Sequence, residues 1–275
     1  MTTDPELTLK QYREAADQGD GESCYIIADA YDLGSMGVDQ DEAMAYYWFT
    51  KAAEHGFGMA SHRIAEYYDW GKVVDQDDKK AFEWYMKSAK LGIDLAQNKV
   101  GEFLEHGRGV EANVSDAIVW FLRAAQQGET ASMISLTHAY MEGNGVTQDV
   151  VAAQKWLKCA IDLECTSAFL TLAQFYRDGK CGFAQSDADA FEMYKQAAEA
   201  ENIYAYTSLG AMYENGQGTD RDAKRAFELY LRAAECGLTE GQEAVARCYK
   251  AGIGTDVNLE ESDFWNAEAG ENAKA

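Results

Sequence analysis

Proline is nearly missing: Pro5 is the sole one in 275 residues. Nothing beyond the N-terminus therefore forbids helix through a lost N–H or a ring clash. Long apolar runs are missing too. No stretch approaches the roughly 18 residues a membrane span needs, so none is expected. Positive charge is scarce, with 24 Lys and Arg against 47 Asp and Glu and a net charge of −23. Such a chain repels nucleic acid, whose recognition needs clustered Lys and Arg, and attracts basic partners. The six cysteines follow no fixed spacing and form no CxxC pair, so neither a zinc site nor a disulfide framework is indicated. The opening MTTDPELTLK has no basic n-region and no apolar h-region. A cytoplasmic protein with reduced thiols and no signal peptide is the expectation. Motifs of catalysis are lacking as well. There is no HExxH and no GxSxG, and the GRG and GNG loops lack the following Lys-Ser/Thr of a phosphate cradle. The expectation is a non-enzyme without a cofactor.

What the chain has in quantity is repetition. Residues 81–92 read AFEWYMKSAKLG and residues 226–237 read AFELYLRAAECG. Trp48, Trp84, Trp120 and Trp156 stand 36 residues apart, and the same register continues through Met193, Leu229 and Trp265. Three residues earlier comes Ala45, Ala81, Ala117, Ala153, Ala190, Ala226 or Ser262. A second marker runs in parallel: Tyr31, Tyr68, Leu104, Tyr140, Tyr176, Tyr213 and Tyr249, each with an aliphatic residue four before it and a small one three before it. Spacings of three and four mark one face of a helix. Each unit thus holds a helix A, ending near the tyrosine, and a helix B, centred on the tryptophan. Glycine follows both, as a left-handed C-cap prefers. After two of the B helices Glu164 and Glu201 stand in its place, so those helices either end differently or carry strain of about 1 kcal/mol. One hairpin cannot bury its own apolar face, whereas stacked neighbours can.

The segments LGAMYENGQGTDRDAKRAFELYLRAAECG (209–237) and VGEFLEHGRGVEANVSDAIVWFLRAAQQG (100–128) resemble the Sel1-like repeat family, relatives of the tetratricopeptide repeats. The resemblance covers almost the whole chain. It implies an all-α fold, a right-handed α/α superhelix, read as one solenoid over 1–275. An N-terminal half repeat spans 6–20, followed by seven repeats at 21–57, 58–93, 94–129, 130–164, 165–202, 203–238 and 239–275. Family members serve as adaptors, as degradation and signalling scaffolds, and as bacterial secreted or immunity-type proteins. Repeat two departs from the pattern with GKVV where a second glycine is usual, and the irregular cysteines do not fit the family's disulfide-stapled branch.

The resemblance also implies that helix A lines a concave surface, through positions nine, six and two before the tyrosine and one after it. On that map the last two positions are acidic throughout repeats one to three: Asp29 and Asp32, Glu66 and Asp69, Glu102 and Glu105. Tyr25 and His62 lie one turn earlier. An apolar middle follows, with Ile134, Met141 and Leu170 beside His138, and then Arg177 and Tyr204. Trp70, outside the repeat framework, is a candidate interface anchor. The expected partner is a protein or peptide with a basic segment, held in an acidic groove. Two other readings are an immunity protein that neutralises a toxin, and a metal or small-ligand site on His62, Glu66 and Asp69, which share one helical face, with Glu102 and His106 on another.

Overall fold

The computed structural model describes residues 5–272, with side chains from residue 8. Among the described residues there are fifteen α-helices and no strand. Helix α1 is Pro5–Ala16. The helix-A members are α2 (Gly21–Leu33), α4 (Gly58–Trp70), α6 (Asp94–His106), α8 (Thr130–Glu142), α10 (Thr166–Asp178), α12 (Ile203–Asn215) and α14 (Thr239–Ala251). The helix-B members are α3 (Glu42–Glu54), α5 (Asp78–Lys90), α7 (Val114–Gln126), α9 (Val150–Asp162), α11 (Asp187–Glu199), α13 (Ala223–Glu235) and α15 (Leu259–Asn272). No helix is long and apolar enough to cross a membrane among the described residues.

The chain divides into two compact units, Met1–Gln148 and Asp149–Ala275. In each, consecutive helices pack as hairpins that stack on their neighbours. The alanines three before the seam, Ala45 to Ala226, are fully buried. With no side chain beyond Cβ, they let backbones close up while rings fill the grooves beside them. The core of the first unit joins Ile27, Phe49, Ile64 and Tyr67, with Trp48 and Trp84 against its edge. That of the second joins Tyr194, Leu209, Tyr230 and Val245, with Met193, Leu229 and Trp265 against it.

Two devices hold the hairpins within each unit in register. A short polar residue caps helix B seven positions before the seam: Asp41, Asp77, Asn113, Ser186 and Asp222 each accept a backbone N–H from the first turn. This satisfies donors that the helix start leaves unpaired. The cap's own N–H then donates to the marker residue's carbonyl, as in Asp41 to Tyr31 at 2.8 Å and Asp222 to Tyr213 at 2.9 Å. At the other end Glu164 and Glu201 adopt φ of 56° and 59°. Those helices end as their glycine counterparts do, and the strained alternative is the one realised.

The second glycine of the GxG loops has a packing reason. Gly109 has a φ of 62°, and a Cβ there would overlap the Asp78 carbonyl at the start of the preceding helix B. Gly218 meets Asp187 and Gly254 meets Ala223 in the same way. Repeat two has Val73 here, also at positive φ, and its side chain stays half-exposed.

Candidate partner-binding face

The first unit brings Asp32, Glu66 and Trp70 to one small cavity of about 160 Å³, together with Arg63, Tyr67 and Lys72. Arg63 sits between the two acids. It forms an ion pair with Asp32 of the preceding repeat and donates to Glu66 at 2.6 Å. Burial opposes the Arg63 charge, but Glu66 and Asp32 outweigh it and hold the guanidinium above its ordinary pKa. Burial also pushes Glu66 upward. His62, 3.6 Å away, and Arg63 overcome that and leave its carboxyl below the usual range. Trp70 is 58% exposed, with the Lys72 ammonium 5.7 Å from its ring.

Asp69 is 7% exposed and turned inward. It accepts from Tyr85 Oη at 3.2 Å and from Arg108 Nη2 at 2.5 Å, and Arg108 also reaches Asp78 at 2.6 Å. Tyr85 is fully enclosed, and burial followed by the Asp69 charge drives its phenol well above the ordinary value. The second unit repeats the arrangement. Tyr230 Oη donates to Glu214 at 2.9 Å, and Arg247 of the next repeat forks onto the same carboxylate. At Arg177 the sign is reversed: its Nη1 donates to Tyr194 Oη at 3.2 Å. The position after the marker tyrosine is therefore a joint. The residue there meets a tyrosine from its own helix B at Asp69, Arg177 and Glu214. It meets an arginine from the next repeat at Asp32, Asp69 and Glu214.

Four of the six predicted acids thus have an internal cation: Asp32 and Glu66 share Arg63, Asp69 has Arg108, and Glu102 pairs with Lys99 at 2.7 Å. Glu102 also accepts from Asn98 at 2.7 Å, and Asn98 accepts from Ser132 of the next helix A at 2.7 Å. Among the described residues Asp29 and Glu105 form no ion pair. Burial raises the Asp29 carboxyl above its ordinary value, with the Asp32 charge adding and Arg63 opposing. The sequence carried a signal for these cations. Five residues before the marker, repeats two and three have Arg63 and Lys99, each three residues before its glutamate, a helix-surface pairing distance.

The remaining candidates are spread out. Tyr25 is half-buried on Phe49 and Phe57, at 5.3 and 5.0 Å between ring centroids. Ile134, His138 and Met141 are half-buried on α8, and burial lowers the His138 pKa. In the second unit Leu170 packs against the core, while Arg177 and Tyr204 are exposed. The metal arrangement is not assembled. His62 is 6% exposed and packs on Tyr85, while Glu66 is held by Arg63 and Asp69 by Tyr85 and Arg108. Among the described residues no group of three or more His, Cys, Asp or Glu is placed to hold a metal ion. His106 is exposed, its Nδ1 2.9 Å from the Glu102 carbonyl rather than its carboxylate.

The Sel1 repeat profile matches residues 21–57, 58–93, 94–129, 131–165, 172–202, 203–238 and 239–263. Among solved structures the chain is similar to a Sel1 repeat protein from Oxalobacter formigenes. The identity is 26% and the TM-score 0.78, over 91% of this chain and 99% of that one. A protective antigen of uropathogenic Escherichia coli with an SLR fold is 28% identical at a TM-score of 0.74, over 96% of this chain. The chain spans 56% of that antigen's length. Yeast Tom70 shares the fold alone, at 15% identity and a TM-score of 0.53, over 97% of this chain and 58% of that one. No curated protein matches the chain in sequence. The helical hairpins, their glycine-ended loops and the match across seven repeats place this chain in the Sel1 repeat family, whose members are generally protein-interaction scaffolds.

Proposed function

We propose that the chain is a non-enzymatic protein-binding scaffold. The helix-A face of its first unit holds a partner segment that carries basic side chains. The observation behind this reading is Trp70, an exposed aromatic at a cavity walled by Asp32, Arg63, Glu66, Tyr67 and Lys72. An indole in that setting has no core to fill, and large aromatics with polar rims carry much of the energy in protein interfaces. Asp29 and Glu105 are the acids left for a partner's cations, since the others have cations of their own. In a chain of net charge −23 they would steer a basic segment and speed its association at low salt.

The test is affinity capture from a lysate of the source organism with three baits: wild type, Trp70→Ala, and Asp29→Lys with Glu105→Lys. Asp69 is unsuitable for charge reversal because it anchors a buried tyrosine. The reading expects a set of captured proteins that both variants lose and that rising salt releases from the wild type. An identical set on all three baits, indifferent to salt, would sink it. Tyr204 and Arg177 remain candidates on the second unit.

A further inference from the structure

Tryptophan occupies the helix-B seam at positions 48, 84, 120, 156 and 265, but the fifth and sixth repeats have Met193 and Leu229. Beside Leu229 the second unit opens a cavity of about 260 Å³ between α11, α12 and α13. Its floor is apolar, made by Tyr206, Leu209 and Tyr213, and Lys195, Arg225 and Arg232 stand around it with Glu199 and Glu228. Lys195 pairs with Glu192 at 3.7 Å, so Arg225 and Arg232 are the cleft's cations without an ion pair among the described residues.

The arginines are held in an unusual way. In repeats two and three the cation three residues after the tryptophan lies over the indole, Lys87 over Trp84 at 4.4 Å and Arg123 over Trp120 at 4.5 Å, while in repeat one Lys51 lies over Tyr47 at 5.9 Å. Arg232 has the same place after Leu229. Without an indole to cover, it lies over Tyr206 at 4.7 Å. Arg225 lies over Tyr213 at 5.4 Å and donates to that residue's hydroxyl at 3.2 Å. Among the described residues neither guanidinium forms an ion pair. Both therefore keep donors for an incoming carboxylate while their planes rest on rings, a combination guanidinium allows and ammonium does not.

We propose that this cleft binds a bulky apolar side chain, aromatic by preference, from an acidic segment of a partner protein. The ring enters where the repeat pattern has lost its own tryptophan, and flanking carboxylates meet Arg225 and Arg232. The charge preference is opposite to that of the first unit's face, so the two proposals stand or fall separately.

The probe is a fluorescein-labelled acidic hexapeptide, Asp-Glu-Asp-Trp-Asp-Glu, titrated with the full chain at low salt and read by anisotropy. The control replaces its Trp by Ser. Leu229→Trp restores the residue that five repeats carry and closes the cleft. Arg225→Glu with Arg232→Glu reverses exposed charge and leaves the fold unchanged by circular dichroism. The proposal expects the Trp peptide to bind at least about tenfold tighter than the Ser peptide, and each variant to remove that difference. Equal binding of the two peptides, or undiminished binding by either folded variant, would overturn it. So would a concentration-dependent dimer of the wild type that Leu229→Trp abolishes, which would give the cleft to a second copy of the chain.

Discussion

Arg247 of the seventh repeat forks onto Glu214 of the sixth through two hydrogen bonds of 2.7 Å each. Tyr230 Oη completes the carboxylate's shell at 2.9 Å. Such a bidentate pair has fixed geometry, and the buried phenol makes the acid the more sensitive partner. Glu214→Ala should destabilise the second unit by about 1–3 kcal/mol, because it strands the Tyr230 hydroxyl. Arg247→Ala should lower stability by no more than about 1 kcal/mol, since the arginine is half-exposed and Tyr230 keeps its acceptor. Stability here is local and between neighbours, so hydrogen exchange across α12 and α14 is the measurement. Equal losses for both variants would contradict the assignment.

The same node predicts a pH response. Arg247 first, with Tyr230 after it, holds the Glu214 carboxyl below its ordinary pKa against the effect of burial. A carboxyl depressed in the folded state stabilises fully above its unfolded value, about 4.3, and loses that contribution as pH falls through the folded value. Glu214→Gln should therefore flatten the acid limb of stability against pH below about pH 5. Urea melts from pH 3 to pH 7 would show it. Coincident acid limbs would refute the claim.

Asp29 should act in the opposite sense. Burial raises its carboxyl, so the folded state disfavours the ionised form. Its contribution to stability declines as pH rises from the unfolded pKa through the folded one, and the deficit is complete at neutral pH. Asp29→Asn should raise the melting temperature at pH 7 and make no difference at pH 3. A lower melting temperature at pH 7 would show that Asp29 has a favourable partner.

The loop glycines should divide by what stands behind them. Gly109→Ala puts a Cβ on the Asp78 carbonyl at a left-handed φ and should cost about 2 kcal/mol or more. Val73→Gly, at the equivalent place in repeat two, should change stability by less than about 1 kcal/mol, because the valine side chain lies outside. Thermal melts of the two single variants decide between them.

Much of the architecture was legible because periodicity is a strong signal. The seam tryptophans and marker tyrosines fixed two helices per repeat, and the glycines fixed their ends, even where Glu164 and Glu201 endure the glycine's conformation. The acidic surface was read less well. Asp69 looked like a groove residue because it follows its tyrosine as Asp32 does. Its partners are Tyr85, 16 residues on, and Arg108, 39 residues on. Only the stacked repeats bring these to one point. Arg63 and Lys99 were visible at pairing distance from Glu66 and Glu102, but a map of positions nine, six and two before the marker and one after it passes over the position five before it. The cap residues Asp41, Asp77 and Asn113 recurred as regularly as the tryptophans. A short polar residue before a helix is as compatible with an ordinary loop as with a cap, so their recurrence alone does not name the N–H groups they accept.

The joints bear on how the repeats can be rearranged. Seven similar units suggest modules that could be reordered at will. Asp32 to Arg63, Asp69 to Arg108, Asn98 to Ser132 and Glu214 to Arg247 are four different locks. Each key sits one repeat along from its lock. A chain with its second and third repeats exchanged would keep a tryptophan at every seam position that now has one and a capping side chain before each helix B, with Tyr68 and Leu104 trading the marker position. It would also set Asp32 against a repeat without its arginine and leave Asp69 beside one that carries no Arg108. The serial order of these repeats is thus written into the seams between them, and a permuted chain would be the same fold with mismatched neighbours.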